Sequence, residues 1–287
     1  MKITGTRSVM QNQARLATLD DSSLSQFNKI WQGGYYEGNP LDPLSPSTYG
    51  VYGYNSILYT VFSACIRPYI SPKTTVLEIG PGRGAWTKTF LERGCRRVYA
   101  VDAAPAEHTG FWDYVGRDDR AIYLVSNDFS LTAVPDAEID FFFSFGVFCH
   151  LTPAQCEQYV IALAPKMREG ARGFLMIADF DKYNNCLDNA DRLSLKKIVR
   201  WQTRKALLPV EAAYLLIWHC FRPFMDLRRV DKQVERNLVQ KNGLGGWHHC
   251  GVDRACAMLE SVGFEIVERD IEVIPRDPII HFRKRGR

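Results

Sequence analysis

Val76-Leu77-Glu78-Ile79-Gly80-Pro81-Gly82-Arg83-Gly84 is the stretch whose reading decides the fold of this 287-residue chain. Three apolar residues and one acid run straight into three glycines at alternate positions. The residues that follow, Ala85 to Arg93, have a helical pattern. A buried strand that turns sharply into a helix leaves the first N–H groups of the helix open toward a ligand. Glycine suits such a turn because a side chain would keep a ligand off the backbone. The expectation is a nucleotide-like cofactor held near residue 80.

Two spacings compete in the loop. Gly80, Gly82 and Ala85 fit the loose dinucleotide fingerprint G-x-G-x-x-A. The tighter pattern is E-x-G-x-G-x-G, with Glu78 two residues before the first glycine. A pyrophosphate gains nothing from a carboxylate there, because like charges repel in a partly desolvated cleft. A ligand carrying an ammonium or sulfonium does gain. An ordinary glycine-rich turn with an incidental acid is the bland alternative. With Glu78, Gly80, Gly82 and Gly84 in this order, the stretch resembles the first motif of the class I S-adenosylmethionine-dependent methyltransferases. The resemblance implies S-adenosylmethionine as cofactor, held by this loop with Pro81 and Trp86.

Further strand patterns continue the reading. Arg97 to Val101 is a short strand ending on Asp102, and an acid at the tip of a second strand can take both ribose hydroxyls. Such an acid fits NAD as well as S-adenosylmethionine. Ala121 to Val125 forms a third strand, followed by Ser126-Asn127-Asp128-Phe129. The unbroken apolar run from Asp140 to Phe148 indicates a fourth strand, buried on both faces as in a parallel sheet. In open α/β sheets the ligand crevice lies outside the carboxyl ends of the strands, which gathers Gly80, Asp102, Asp128 and Phe145 to His150 around one cleft. The resemblance adds that Asp128 meets the adenine amino group, that Phe129 packs on its ring, and that the end of strand four faces the methyl group. It extends the cofactor contacts to Ala103, Asn127, Phe145 and Gly146.

Candidate chemistry falls on His150, Asp179 and His248. Methyl transfer is an in-line displacement on an activated sulfonium, so positioning and proton removal are what a protein adds. A hydroxyl nucleophile benefits from a general base, for which histidine is suited. His150 is the first candidate, against the plainer reading that it opens a helix begun by Thr152-Pro153. Asp179, after a fifth strand at Gly173 to Ala178, is a second candidate base or an orienter of a substrate hydroxyl. His248 lies in Gly243-Leu244-Gly245-Gly246-Trp247-His248-His249-Cys250, a glycine-rich turn suited to line a substrate pocket.

Length and composition suit one large α/β domain with additions. Residues 1–72 read as an N-terminal helical cap or lid rich in tyrosine, and 73–287 as the core, with a basic helical insertion at about 185–245. Residues 192–241 hold twelve Lys and Arg against four acids, a net +8; the whole chain is +4, so the remainder is −4. A solvated helix face is the default for such a run, and a basic wall for an anionic substrate is the sharper reading. None of the eight cysteines forms a C-x-x-C pair, which points to reduced buried thiols and no metal site. The longest apolar stretch, Ala206 to Phe224, is interrupted by Glu211, His219 and Arg222 and argues against a membrane span. With polar first residues, a cytoplasmic location is expected.

A helix from Asp253 to Val262, then Gly263-Phe264 and two closing strands, resembles the C-terminal hairpin of class I methyltransferases. The expected fold is a doubly wound, Rossmann-like α/β sheet of about seven strands ending in that antiparallel hairpin. The end of strand four lacks the N-P-P-Y or D-P-P-Y run of amino methyltransferases that act on adenine or glutamine. The expected function is O-methylation of a hydroxyl-bearing small molecule such as a sugar or glycan unit, with nucleic acid disfavoured as partner. Rivals are a methyltransferase for an anionic macromolecule, RNA or a lipid-linked saccharide, and a non-catalytic nucleotide-binding interaction module. A dehydrogenase is the least favoured. The apolar stretch from Leu207 to Phe221 leaves a homodimer open.

Overall fold

A computed structural model describes residues 39–43, 57–191, 247–274 and 276–286. Most of the N-terminal cap and of the basic insertion lie outside the described residues, and so do the expectations made for them. The described residues build one seven-stranded sheet: β1 Thr75–Ile79, β2 Arg97–Asp102, β3 Ala121–Val125, β4 Ile139–Ser144, β5 Met167–Met176, β6 Phe264–Glu268 and β7 Ile279–Lys284. Their spatial order is β3-β2-β1-β4-β5-β7-β6. The first five strands run parallel, and β7 lies antiparallel between β5 and β6. This is the expected doubly wound sheet with a C-terminal antiparallel hairpin.

Parallel strands buried on both faces need apolar residues at every position, and β1 is buried throughout. Alternation divides its residues between two cores. Leu77 and Ile79 join Val101, Phe142 and Ile177 on one face, under α5 Pro153–Leu163 and α7 Val252–Ser261. Val76 joins Ala100, Phe141 and Phe143 on the other, under α1 Ile57–Val61 and α2 Ala85–Glu92. The remaining helices are α3 Ala106–Thr109, α4 Phe111–Val115 and α6 Phe180–Asp191. On the α2 face Phe141, Phe143 and Phe145 stack in a row, with neighbouring centroids 6.5 Å and 6.3 Å apart. Phe90 meets Phe141 and Phe143 edge-on at 6.0 Å and 5.7 Å, geometry that suits the ring quadrupoles.

Element boundaries follow local chemistry. Thr152 begins α5 with a capping box: its hydroxyl accepts from the Gln155 N–H, and the Gln155 side-chain oxygen accepts from the Thr152 N–H. The end of the expected helical cap is described from Ile57, and after α1 the chain widens into a π-turn over Phe62–Ile66. Strand β5 starts at Met167, six residues before the expected Gly173. Its early residues are partly exposed and polar, so their sequence lacks an apolar signal. Among the described residues seven cysteines are free thiols, six of them buried, and no helix is long and apolar enough to cross a membrane.

Candidate functional site

The carboxyl ends of β1, β2 and β4 come together around the glycine loop. The Gly80 N–H donates to the Val101 carbonyl at 2.8 Å, which ties the loop to β2. Gly80 has φ +72°, and a Cβ there would lie 2.0 Å from Val147 Cγ2. Gly84, the residue before α2, has φ +92°, and its Cβ would meet Val115 and Phe111 at 2.3 Å and 2.8 Å. At both positions protein side chains fill the space that a side chain would need. The ligand-approach argument from sequence therefore understates why these residues are glycine.

Asp102 holds the neighbouring loops in place. One carboxylate oxygen accepts from the Gly82 N–H at 3.1 Å and the other from the Ala104 N–H at 2.9 Å. Burial pushes this carboxyl above the usual range, while the N–H groups of Ala104, Gly82 and Ala103 pull it back. Glu78 is 1% exposed at the end of β1. Its Oε2 accepts from the Thr87 hydroxyl of α2 at 2.5 Å, and its Oε1 is buried with no hydrogen-bond partner among the described residues. Burial first, then the negative Asp102, raise the Glu78 carboxyl to about 8 against the lowering hydrogen bond from Thr87. A buried polar atom without a partner is costly unless something else satisfies it.

The third loop is a self-contained turn. Asp128 is exposed, and one of its oxygens accepts from the Ser126 hydroxyl and from both the backbone and hydroxyl of Ser130. These bonds, led by the Ser130 N–H, hold its carboxyl below the usual range. Asn127 beside it is exposed. Phe129 turns inward, 1% exposed, with its ring edge-on to Tyr159 of α5 at 4.9 Å. The ring expected over adenine is instead committed to the core.

Two further aromatic expectations meet the same fate. Trp86 packs at 5.1 Å from Phe143 and 5.2 Å from Phe145, and both Trp86 and Phe145 are buried in the aromatic row. Gly146, with φ +78°, turns the chain out of β4 toward a short 3-10 turn, Phe148–His150. Pro81 is buried in the glycine loop and Ala103 is half-buried after Asp102.

Asp179 is placed by its hydrogen bonds. One oxygen accepts from the N–H groups of Asp181 and Lys182, capping α6, and the other from the Val252 N–H at the start of α7. Three backbone donors occupy its carboxylate, so its first task is to join two helix starts. A base or substrate-orienting part, as expected from sequence, would have to share oxygens that already accept these bonds.

His150 and His248 are brought close along the backbone. The His248 N–H donates to the carbonyl of Cys149, the residue before His150, and the N–H groups of Cys250 and Gly251 donate to Ala178. The segment from Trp247 is thereby stitched across the ends of β4 and β5. His249 accepts from the Phe180 N–H through Nδ1 at 3.1 Å, which leaves the proton of a neutral ring on Nε2. Trp247 packs against Phe180 at a tilt, with centroids 4.6 Å apart, and its indole N–H donates to Asp277, a buried acid also bound by Arg276. Sequence reading missed Thr87, Val147 and Asp277. The chain alone offers only a weak signal for Thr87, a small polar residue on the helix face toward β1.

The comparisons agree with this geometry. Residues 77–172 match a family model described as a methyltransferase domain. Among solved structures, the chain is similar to an S-adenosylmethionine-dependent methyltransferase from Mesorhizobium loti, at 13% identity and a TM-score of 0.53, covering 80% of this chain and 98% of that one. It is also similar to the N-methyltransferase NodS from Bradyrhizobium japonicum, solved in complex with S-adenosyl-l-homocysteine, at 13% identity and a TM-score of 0.53, covering 93% and 100%. At these identities the likeness is one of fold. No curated protein matches the chain.

Proposed function

For a chain whose residues 77–172 match a methyltransferase-domain model, we propose an S-adenosylmethionine-dependent enzyme that methylates a hydroxyl of a small polar molecule, such as a sugar or glycan unit. The observation that carries the cofactor assignment is the buried Oε1 of Glu78 beside the glycine loop, which has no hydrogen-bond partner among the described residues. An ammonium supplies the missing hydrogen bond and a charge opposite to a carboxylate, neither of which a dinucleotide phosphate brings. In this reading Glu78 takes the cofactor's ammonium, Asp102 its ribose hydroxyls, and Gly80, Pro81, Gly82 and Gly84 let it approach the backbone. Ala103, Asn127, Asp128 and Gly146 border it. The cofactor supplies an electrophilic methyl group when bound.

The chain's own residues then orient the acceptor and remove its proton. His150, in the 3-10 turn that follows β4, is the preferred general base, and His248, one backbone hydrogen bond away through Cys149, is the second. Oxygen is favoured as acceptor because an imidazole suits removal of a hydroxyl proton. NodS is an N-methyltransferase, so the acceptor atom is inferred from the histidines and not from that likeness. An anionic acceptor is a second reading, favoured by the net +8 of residues 192–241. Incubating the protein and S-adenosylmethionine with matched panels of sugars, phenols and amines, and measuring S-adenosylhomocysteine, tests the reading. Turnover with hydroxyl acceptors alone is expected. Turnover with amines alone would overturn the oxygen assignment.

A further inference from the structure

The surroundings of Glu78 have a thermodynamic consequence. Its side chain lies on the α2 face of β1, whose neighbours in register are Ala100 of β2 and Phe143 of β4. From α2 the neutral Thr87 hydroxyl gives it one hydrogen bond. From β2 the acid Asp102 faces it, and from β3 the Tyr123 phenol, itself bonded to the Ala104 carbonyl, is close enough to interact. His108 of α3 acts on Asp102. Among the described residues, none of the groups acting on Glu78 is a cation. A carboxylate in this place would be a desolvated charge beside a second acid, with no hydrogen bond to Oε1 from the described residues. The neutral acid avoids that penalty, in line with the rise of the group to about 8.

We propose that the site binds its cofactor with release of a proton: Glu78 is a neutral carboxylic acid in the free protein at neutral pH, and becomes a carboxylate when Oε1 receives the cofactor's ammonium. The inference rests on the cofactor reading above. The balance is simple: the O–H bond of Glu78 breaks, its proton passes to solvent, and the ammonium keeps all three of its protons. Such a site never holds a bare buried charge. It ionises only for a ligand that brings the opposite charge, which discriminates against nucleosides and dinucleotides without an ammonium.

The experiment is calorimetric titration with S-adenosylhomocysteine at pH 7, in phosphate and in Tris, buffers with small and large heats of protonation. Release of about one proton per ligand is expected, read from the difference in binding heat between the buffers. 5′-Methylthioadenosine, which shares the nucleoside but lacks the ammonium, should show no difference. In Glu78→Gln the buffer dependence should vanish. Should that variant not fold, infrared difference spectra of the native protein serve instead: a protonated carboxyl band should be lost on saturation. Equal heats in both buffers with binding intact, or proton release that persists in Glu78→Gln, would overturn the proton coupling and leave the cofactor reading standing. No binding in either buffer would overturn both.

Discussion

Gly80 is constrained twice, by a backbone angle that side chains resist and by Val147 in the place a Cβ would occupy. Gly80→Ala should therefore cost about 2–4 kcal/mol, the left-handed penalty plus overpacking. In Gly80→Ala/Val147→Ala the overpacking part should be recovered, so the two changes couple. Denaturant midpoints measure this, and strictly additive losses would count against the contact. Asp179→Ala should lower stability by roughly 1–2 kcal/mol through lost helix capping while leaving cofactor affinity intact. A collapse of turnover with unchanged stability would instead return Asp179 to the chemistry. Glu78→Ala and Asp102→Ala should each weaken S-adenosylhomocysteine binding roughly tenfold or more, the worth of a charged hydrogen bond. For His150→Ala the expectation is a loss of turnover of about a hundredfold with cofactor binding spared. An unchanged rate would make His150 structural.

Strand β7 carries a buried histidine with its own pH signature. His281 is stacked on Phe174 at 4.4 Å, and its Nε2 lies 3.2 Å from an Arg172 nitrogen, so it accepts as a neutral ring. Burial first, then Arg172 and Arg283, hold it down at about 4. With the folded value below the unfolded one, its contribution is fully present above about pH 6.5 and is lost as pH falls toward 4. His281→Phe should flatten the stability profile across that window; an identical pH dependence in the variant would refute the assignment. At this scale the sequence was most legible where apolar runs are unbroken. β1 to β4 and the closing hairpin announce themselves through apolar runs and glycine turns. The first half of β5 is polar, and the short α3 and α4 are too brief to show a period, so neither stood out. The proposed site divides in the same way. Motif spacing picks out Glu78 and Asp102, whose carboxyls lie beside the glycine loop, whereas Trp86, Phe129 and Phe145 turn inward because a sequence does not say which face of a turn an aromatic ring takes. Thr87 and Val147 act through contacts between elements, which no local pattern encodes.

For the molecule as a whole, the parallel sheet places the glycine loop, the acid of β2 and the histidine segment at one edge. In sequence, the basic insertion lies between α6 and Trp247. If it serves an anionic acceptor, apparent acceptor affinity should fall steeply with salt, and neutralising Arg228, Arg229 and Lys232 should flatten that dependence without changing cofactor affinity. Salt-independent acceptor kinetics would favour a solvated face. The central claim is the identity of the cofactor. It is tested most directly by titrating the full chain, side by side, with S-adenosylhomocysteine and with NAD. Saturable binding of S-adenosylhomocysteine and no binding of NAD is the predicted result, and binding of NAD alone would contradict it.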